Sequence, residues 1–228
     1  MGNDQVENTR ENNVTKYREL YEQYGVDERS LGWTKNKQQI RFAQMFDQLD
    51  VKDANILDIG CGFGDLLKYL RRRDPECSFE YTGIDIVPEF VQIASENNPG
   101  YTFLNEDIYE FKPDRKFKYI VECGCFTGLD PKNEDESYKF VESFIKRMLD
   151  LCSDDGAVVC HFLSDKVDFR SSLKDFHIAP EKILAIAYKF SRRVVLDNSV
   201  LPFEACLTIF KDDSFKVETT VFNRAKTE

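Results

Sequence analysis

One stretch constrains the fold more than any other: Asn55-Ile56-Leu57-Asp58-Ile59-Gly60-Cys61-Gly62-Phe63-Gly64-Asp65. It begins as an apolar strand, reaches Asp58, breaks into Gly-x-Gly-x-Gly and resumes as the helix-like run Asp65–Leu70, a pattern of strand, tight turn and helix. Gly60, Gly62 and Gly64 carry no Cβ, so the backbone reaches conformations closed to other residues and a ligand can lie against the main chain.

The same alternation repeats downstream. Phe79-Glu80-Tyr81-Thr82-Gly83-Ile84-Asp85-Ile86 is a strand with Asp85 at its end, 21 residues after Gly64. At that spacing a carboxylate accepts hydrogen bonds from ribose hydroxyls in nucleotide-binding α/β sheets. Pro88 opens a helix through Phe90, Val91, Ile93 and Ala94. Tyr101–Leu104 is a third strand, with Asp107 just past its end, and Phe117–Phe126 is a fourth strand and its exit. An acidic loop follows, then a helix with Phe140, Val141, Phe144, Ile145 and Leu149 facing inward. Gly156–Leu163 is apolar almost throughout, which predicts a central strand buried on both faces. A helix over Pro180–Phe190 precedes strands at Arg193–Leu196 and Phe203–Phe210, whose connection is too short for a parallel crossover and makes this last pair antiparallel.

The N-terminal part reads differently. Residues 1–14 are rich in Asn, Glu, Asp and Gln and nearly devoid of apolar side chains, so a disordered tail is expected there. From Thr15, Tyr17, Leu20, Tyr21 and Tyr24 recur at helical spacing until Gly25 stops the run. The only tryptophan follows at Trp33, and a second helix sends Ile40, Phe42, Ala43, Phe46 and Leu49 toward the core. Residues 15–50 therefore read as a helical lid over the glycine turn, and residues 51–228 as the single α/β domain.

Composition narrows the partners. The 41 acidic and 31 basic residues leave a net charge of −10, which repels a polyphosphate and makes nucleic acid a poor partner. The one dense basic run, Arg71-Arg72-Arg73, complements the carboxyl end of the first core helix. No apolar run suits a membrane span, and the polar start Met1-Gly2-Asn3-Asp4 lacks the marks of a secretion signal, so a cytoplasmic protein is expected. Seven cysteines without a C-x-x-C pair are expected as free thiols, and Cys123 and Cys125 lack partners at zinc-ligand spacing, so no metal is expected.

The β-α alternation closed by an antiparallel hairpin, the Asp-x-Gly-x-Gly-x-Gly after the first strand and the acids after the second and third resemble the class I S-adenosylmethionine-dependent methyltransferases from Asn55 to Phe210. The resemblance implies a Rossmann-like, seven-stranded, mostly parallel α/β sheet with an antiparallel terminal strand, and S-adenosylmethionine as cofactor. It puts Asp58, Gly60, Cys61, Gly62 and Gly64 around the methionine part, Asp85 at the ribose, and Asp107 with Ile108 at the adenine. Glu122 and Cys123 face the sulfonium in this comparison, and Ile86 and Trp33 complete the donor set. Phe117-Lys118 departs from the family's Phe-Asp at a position that is structural. Rossmann dehydrogenases differ in the spacing G-x-G-x-x-G and lack the terminal hairpin. Leu31–Lys35, Phe162–Phe169 and Pro202-Phe203-Glu204 look like small bacterial methyltransferases of sugar, polysaccharide or specialised-metabolite pathways.

Methyl transfer from a sulfonium is an in-line displacement, so a protein must align the acceptor, exclude water and remove a proton where the acceptor carries one. His161, near the ligand-facing end of the fifth strand, is the candidate catalytic base, set against the alternative of a satisfied core histidine. His177, in a loop before a helix, either lines the pocket or caps a turn. Asp165, Asp168 and Glu204 beside strand ends, and Tyr21 on the lid, are candidates for binding the acceptor. The expected function is methyl transfer to a hydroxyl or phosphate oxygen of a small polar metabolite by a monomer or homodimer. An RNA or protein methyltransferase and a non-catalytic donor-binding subunit are the alternatives, the first needing a basic docking surface that the composition does not show.

Overall fold

Where consecutive strand residues are apolar, both faces of a sheet have to be covered. The computed structural model, which describes residues 3–33, 37–167 and 175–215 with side chains from Asn13 onward, shows how this is done. Strands β1 (Asn55–Ile59), β2 (Glu80–Asp85), β3 (Thr102–Asn105), β4 (Phe117–Cys123), β5 (Cys152–Leu163), β6 (Val194–Asp197) and β7 (Glu204–Phe210) form one sheet in the order β3-β2-β1-β4-β5-β7-β6. The pairs from β3 across to β5 are parallel, and β7 runs antiparallel to both β5 and β6. This is the expected Rossmann-like sheet, with the apolar β5 in its interior.

Helices α1 (Asn3–Tyr24), α2 (Gln38–Phe46), α3 (Asp65–Arg73), α4 (Pro88–Asn97), α5 (Glu134–Leu151) and α6 (Pro180–Ala187), with a short 3-10 helix at Glu28–Leu31, complete the described elements. Successive residues of β1 serve opposite layers. Leu57 joins Phe144 and Ile145 of α5 and Ile183 of α6, while Ile56 joins Phe42 of α2, Leu67 of α3 and Ala94 of α4. Because β2 lies on one side of β1 and β4 on the other, the connections leaving β1 and β4 diverge and open a crevice at the carboxyl ends of the strands.

The N-terminal segment departs from expectation in two ways. Residues 3–14, expected as a tail, belong to α1. Asn is their commonest residue and a modest helix former, so their helix is an extension of a segment already nucleated by its packed carboxyl-terminal half. On α2, Ile40 is exposed and Ala43 faces solvent, whereas Arg41 and Gln44 are buried. Gln44 Nε2 donates to the Asp197 backbone and side chain at 3.0 Å, and Arg41 pairs with Glu204, so tertiary partners override the apolar periodicity.

The packed half of α1 is held by aromatic rings. Tyr17 meets Phe90 edge-on at 6.4 Å, Tyr21 meets Phe90 at 6.0 Å and Phe63 at 6.3 Å, and Phe63 and Phe90 lie 4.8 Å apart. Phe63 belongs to the glycine turn, so α1 is fastened to the loop that follows β1. Truncating Phe90 to Ala is expected to cost about 3 kcal/mol of unfolding free energy in urea denaturation. Amide hydrogen exchange in α1 should accelerate more than in β1 or β5.

Candidate active site

The crevice is built by two glycine turns. Gly62, after β1, has φ of +52°, and a Cβ there would come within 2.9 Å of the Leu31 side chain. Its N–H donates to Asp85 Oδ2 at 2.9 Å, and Val87 N–H donates to Asp85 Oδ1 at 2.9 Å, so the carboxylate ending β2 holds the turn that ends β1. Gly124, after β4, has φ of +93°, and a Cβ there would lie 3.0 Å from the Trp33 ring. The Arg41 guanidinium sits 4.2 Å from the centre of that ring. Arg41 also donates twice to Glu204, from Nε to Oε2 at 2.5 Å and from Nη2 to Oε1 at 2.7 Å. This pair is buried and joins α2 to the start of β7.

Between the turns lies a cavity of about 400 Å³. Asn13, Lys16 and Tyr17 of α1 and Leu31 form its roof, and Asp58, Asp85, Ile86, Asp107 and Ile108 line one end. Trp33, Arg41, Glu204, Phe203, Leu163 and His177 line the other. Burial pushes Asp58 up to about 7, although the Tyr81 hydroxyl donates to it and opposes the shift. Burial likewise pushes Asp85 up to about 6 against the N–H groups of Val87 and Gly62. Both acids are buried, an environment that a ligand carrying positive charge and hydroxyl donors would relieve. Gly60 and Gly62 in the wall and the apolar Ile86 and Ile108 for a flat ring complete a site that fits a nucleoside with a cationic tail.

Of the residues singled out in the sequence, Trp33, Asp58, Gly60, Cys61, Gly62, Asp85, Ile86, Asp107, Ile108, Cys123, His177 and Glu204 line this cavity. Five others stand apart from its wall. Gly64 caps α3 and packs against Asn98 and Phe103. Tyr21 spends its ring on Phe63 and Phe90. Asp165 pairs with Lys166 at 3.2 Å. Glu122 is fully buried beneath the β4 turn, where Oε2 accepts Cys125 N–H at 2.9 Å and Oε1 has no partner. His161 is 2% exposed inside the sheet, with burial lowering it to about 4 and Nε2 lying 3.6 Å from Glu204 Oε2. It is buried beside Glu204 and Arg41, so the strand's ligand-facing end does not present it. Asp168 lies outside the described residues. Sequence reasoning missed Arg41, whose only signal was a charge inside the apolar run Ile40-Arg41-Phe42.

A family model described as a methyltransferase domain matches residues 56–156. Malonyl-[acyl-carrier protein] O-methyltransferase 1 of Ilyobacter polytropus is 30% identical over 95 residues, 38% of this chain and 35% of that protein. A putative methyltransferase of Mycobacterium tuberculosis is 41% identical over 73 residues, 32% of this chain and 42% of that protein. The matches thus span less than half the length of these curated relatives. Among solved structures, a DhpI complex with SAH aligns with a TM-score of 0.62 at 15% identity, covering 88% of this chain and 95% of that one. The plantazolicin methyltransferase BpumL in complex with SAH aligns with a TM-score of 0.59 at 15% identity, covering 90% and 99%. Residues 56–156 thus match a methyltransferase domain, and the fold is the one that these SAH-bound structures share.

The buried acid under the β4 turn gives a stability prediction. Glu122 rises from 4.5 to about 8 through burial, so the folded state keeps a proton that the unfolded state has lost, and stability falls as pH rises across that window. His161 acts oppositely, losing stability as pH falls from 6.5 towards 4, which leaves the range from 6.5 to 8 clear of it. In urea titrations across that range Glu122→Gln should show a shallower decline than the unaltered protein, by up to about 1.4 kcal/mol per pH unit. Parallel slopes would show that Glu122 is ionised in the fold.

Proposed function

We propose that this chain transfers a methyl group from S-adenosylmethionine to a small polar metabolite, at an oxygen. The observation that carries the reading is the acidic cavity over the two glycine turns, with strand-end carboxylates at one end and polar side chains with Trp33 at the other. In this reading Asp58 accepts the donor's ammonium, Asp85 its ribose hydroxyls, and Asp107 with Ile86 and Ile108 holds the adenine. The sulfonium supplies an activated methyl group, and the chain's part is to orient it, bring the acceptor in line and exclude water.

Residues 15–50 act as the lid. Tyr17 and Leu31 roof the cavity and Trp33 walls it, which favours an acceptor small enough to be enclosed. The net charge of −10 argues in the same direction, against a docked nucleic acid. The relatives' names differ in acceptor, so the metabolite class is argued from the cavity alone. Incubating the protein with methyl-labelled donor and separate pools of hydroxylated metabolites and RNA tests the assignment, and labelled RNA would overturn it.

Two outcomes are expected at the donor site. Asp85→Ala should weaken S-adenosylhomocysteine binding in calorimetry by about 1.5 to 3 kcal/mol, the loss of a charged hydrogen-bond acceptor, with circular dichroism showing the fold retained. Cation binding favours the ionised form of Asp58, so donor binding near pH 6 should release protons and tighten as pH rises through about 7, then level off. Calorimetry in buffers of different ionisation enthalpy reads that release.

A further inference from the structure

The chain has two histidines, one sealed in the sheet and one in the cavity wall. Building on the methyltransferase reading above, we infer that His177 takes the proton of the acceptor, which makes the acceptor a hydroxyl compound in preference to a carboxylate. A carboxylate acceptor is already ionised near neutral pH and needs no base.

The segment that carries His177 has no regular secondary structure, yet its backbone is tied down on both sides. Phe176 N–H donates to Thr127 O at 3.1 Å, in the loop after β4, and Ile178 N–H donates to Leu163 O at 2.8 Å, at the end of β5. Asp165 N–H donates to Ile178 O at 3.0 Å, and Ser164, whose N–H donates to Phe203 O at 2.9 Å, is itself held at the end of β5. The ring is fixed as well. His177 Nδ1 lies 2.9 Å from the Ser164 carbonyl oxygen, which offers only lone pairs, so Nδ1 carries the proton. In the neutral ring Nε2 is then the lone-pair nitrogen, and it has no hydrogen-bond partner among the described residues. An imidazole with its tautomer set by a backbone carbonyl, standing in the wall of the reaction cavity, is arranged as a proton acceptor. His161 offers the contrast, being buried and outside the cavity wall.

The step balances without a further reagent. The acceptor's O–H bond breaks and its proton goes to His177 Nε2, the oxygen pair forms the O–CH₃ bond, and the S–CH₃ bonding pair remains on sulfur. The ring returns the proton to water after product leaves.

The test combines chemistry on the free protein with turnover. Diethyl pyrocarbonate should acylate one histidine, His177, leaving His161 intact by mass spectrometry, and ¹⁵N resonances should show His177 protonated at Nδ1. With catechol, methyl glucoside and benzoate as probes, transfer should go to a hydroxyl compound. His177→Asn, whose amide still reaches the Ser164 carbonyl, should lose transfer by about a hundredfold with S-adenosylhomocysteine affinity unchanged. Added imidazole should restore His177→Ala. Acylation of His161 instead, a proton on Nε2, transfer to benzoate alone, or a His177→Asn variant of full activity would each overturn the assignment of His177. Failure of the unaltered protein to bind S-adenosylhomocysteine would overturn the methyltransferase reading, and this inference with it.

Discussion

The carboxylate of Asp85 holds the site together. It ends β2, accepts the N–H of Gly62 beyond β1, and is almost wholly buried while doing so. Two strands are thereby joined at their carboxyl ends through one side chain, and the glycine turn keeps the shape a nucleoside needs before any ligand arrives. Preorganising the turn has a cost, visible in the upward displacement of Asp85 and Asp58 by burial. In the function proposed above, the donor's positive charge offsets that cost and couples affinity to protonation at this end of the cavity.

The other end is organised around an ion pair. Arg41 and Glu204 are buried at 5% and 2% exposure, and they connect the N-terminal helices to β7 while Arg41 stacks on Trp33. Such pairs contribute little net stability, but removing one partner strands a charge in a dry site. The pair therefore specifies where α2 sits and where Trp33 faces Gly124, rather than how tightly the chain folds.

Much of this was legible in the sequence. Asp58 and the glycines after β1, Asp85 after β2 and Asp107 after β3 announce themselves because strand, turn and acid recur with fixed spacing, and β5 reads as central because it is apolar on both faces. Which of His161 and His177 lines the cavity was not legible. Position along a strand says which end is near the ligand, but what surrounds a side chain there depends on residues distant in the chain, such as Glu204, 3.6 Å from His161 Nε2. Likewise, Ile40 and Ala43 fit an apolar stripe, yet the stripe rotates because Arg41 and Gln44 find partners on β7 and β6. Residues 3–14 fail as a core-former and still adopt helix, since a polar segment can prolong a helix that is packed elsewhere.

The position of Trp33 has a practical result. It is the chain's one indole, and it lies between a guanidinium and the backbone of Gly124 in the wall of the cavity. The protein therefore carries a built-in optical reporter, with emission from a single known place that changes whenever an occupant alters the polarity beside it or the neighbouring cation moves.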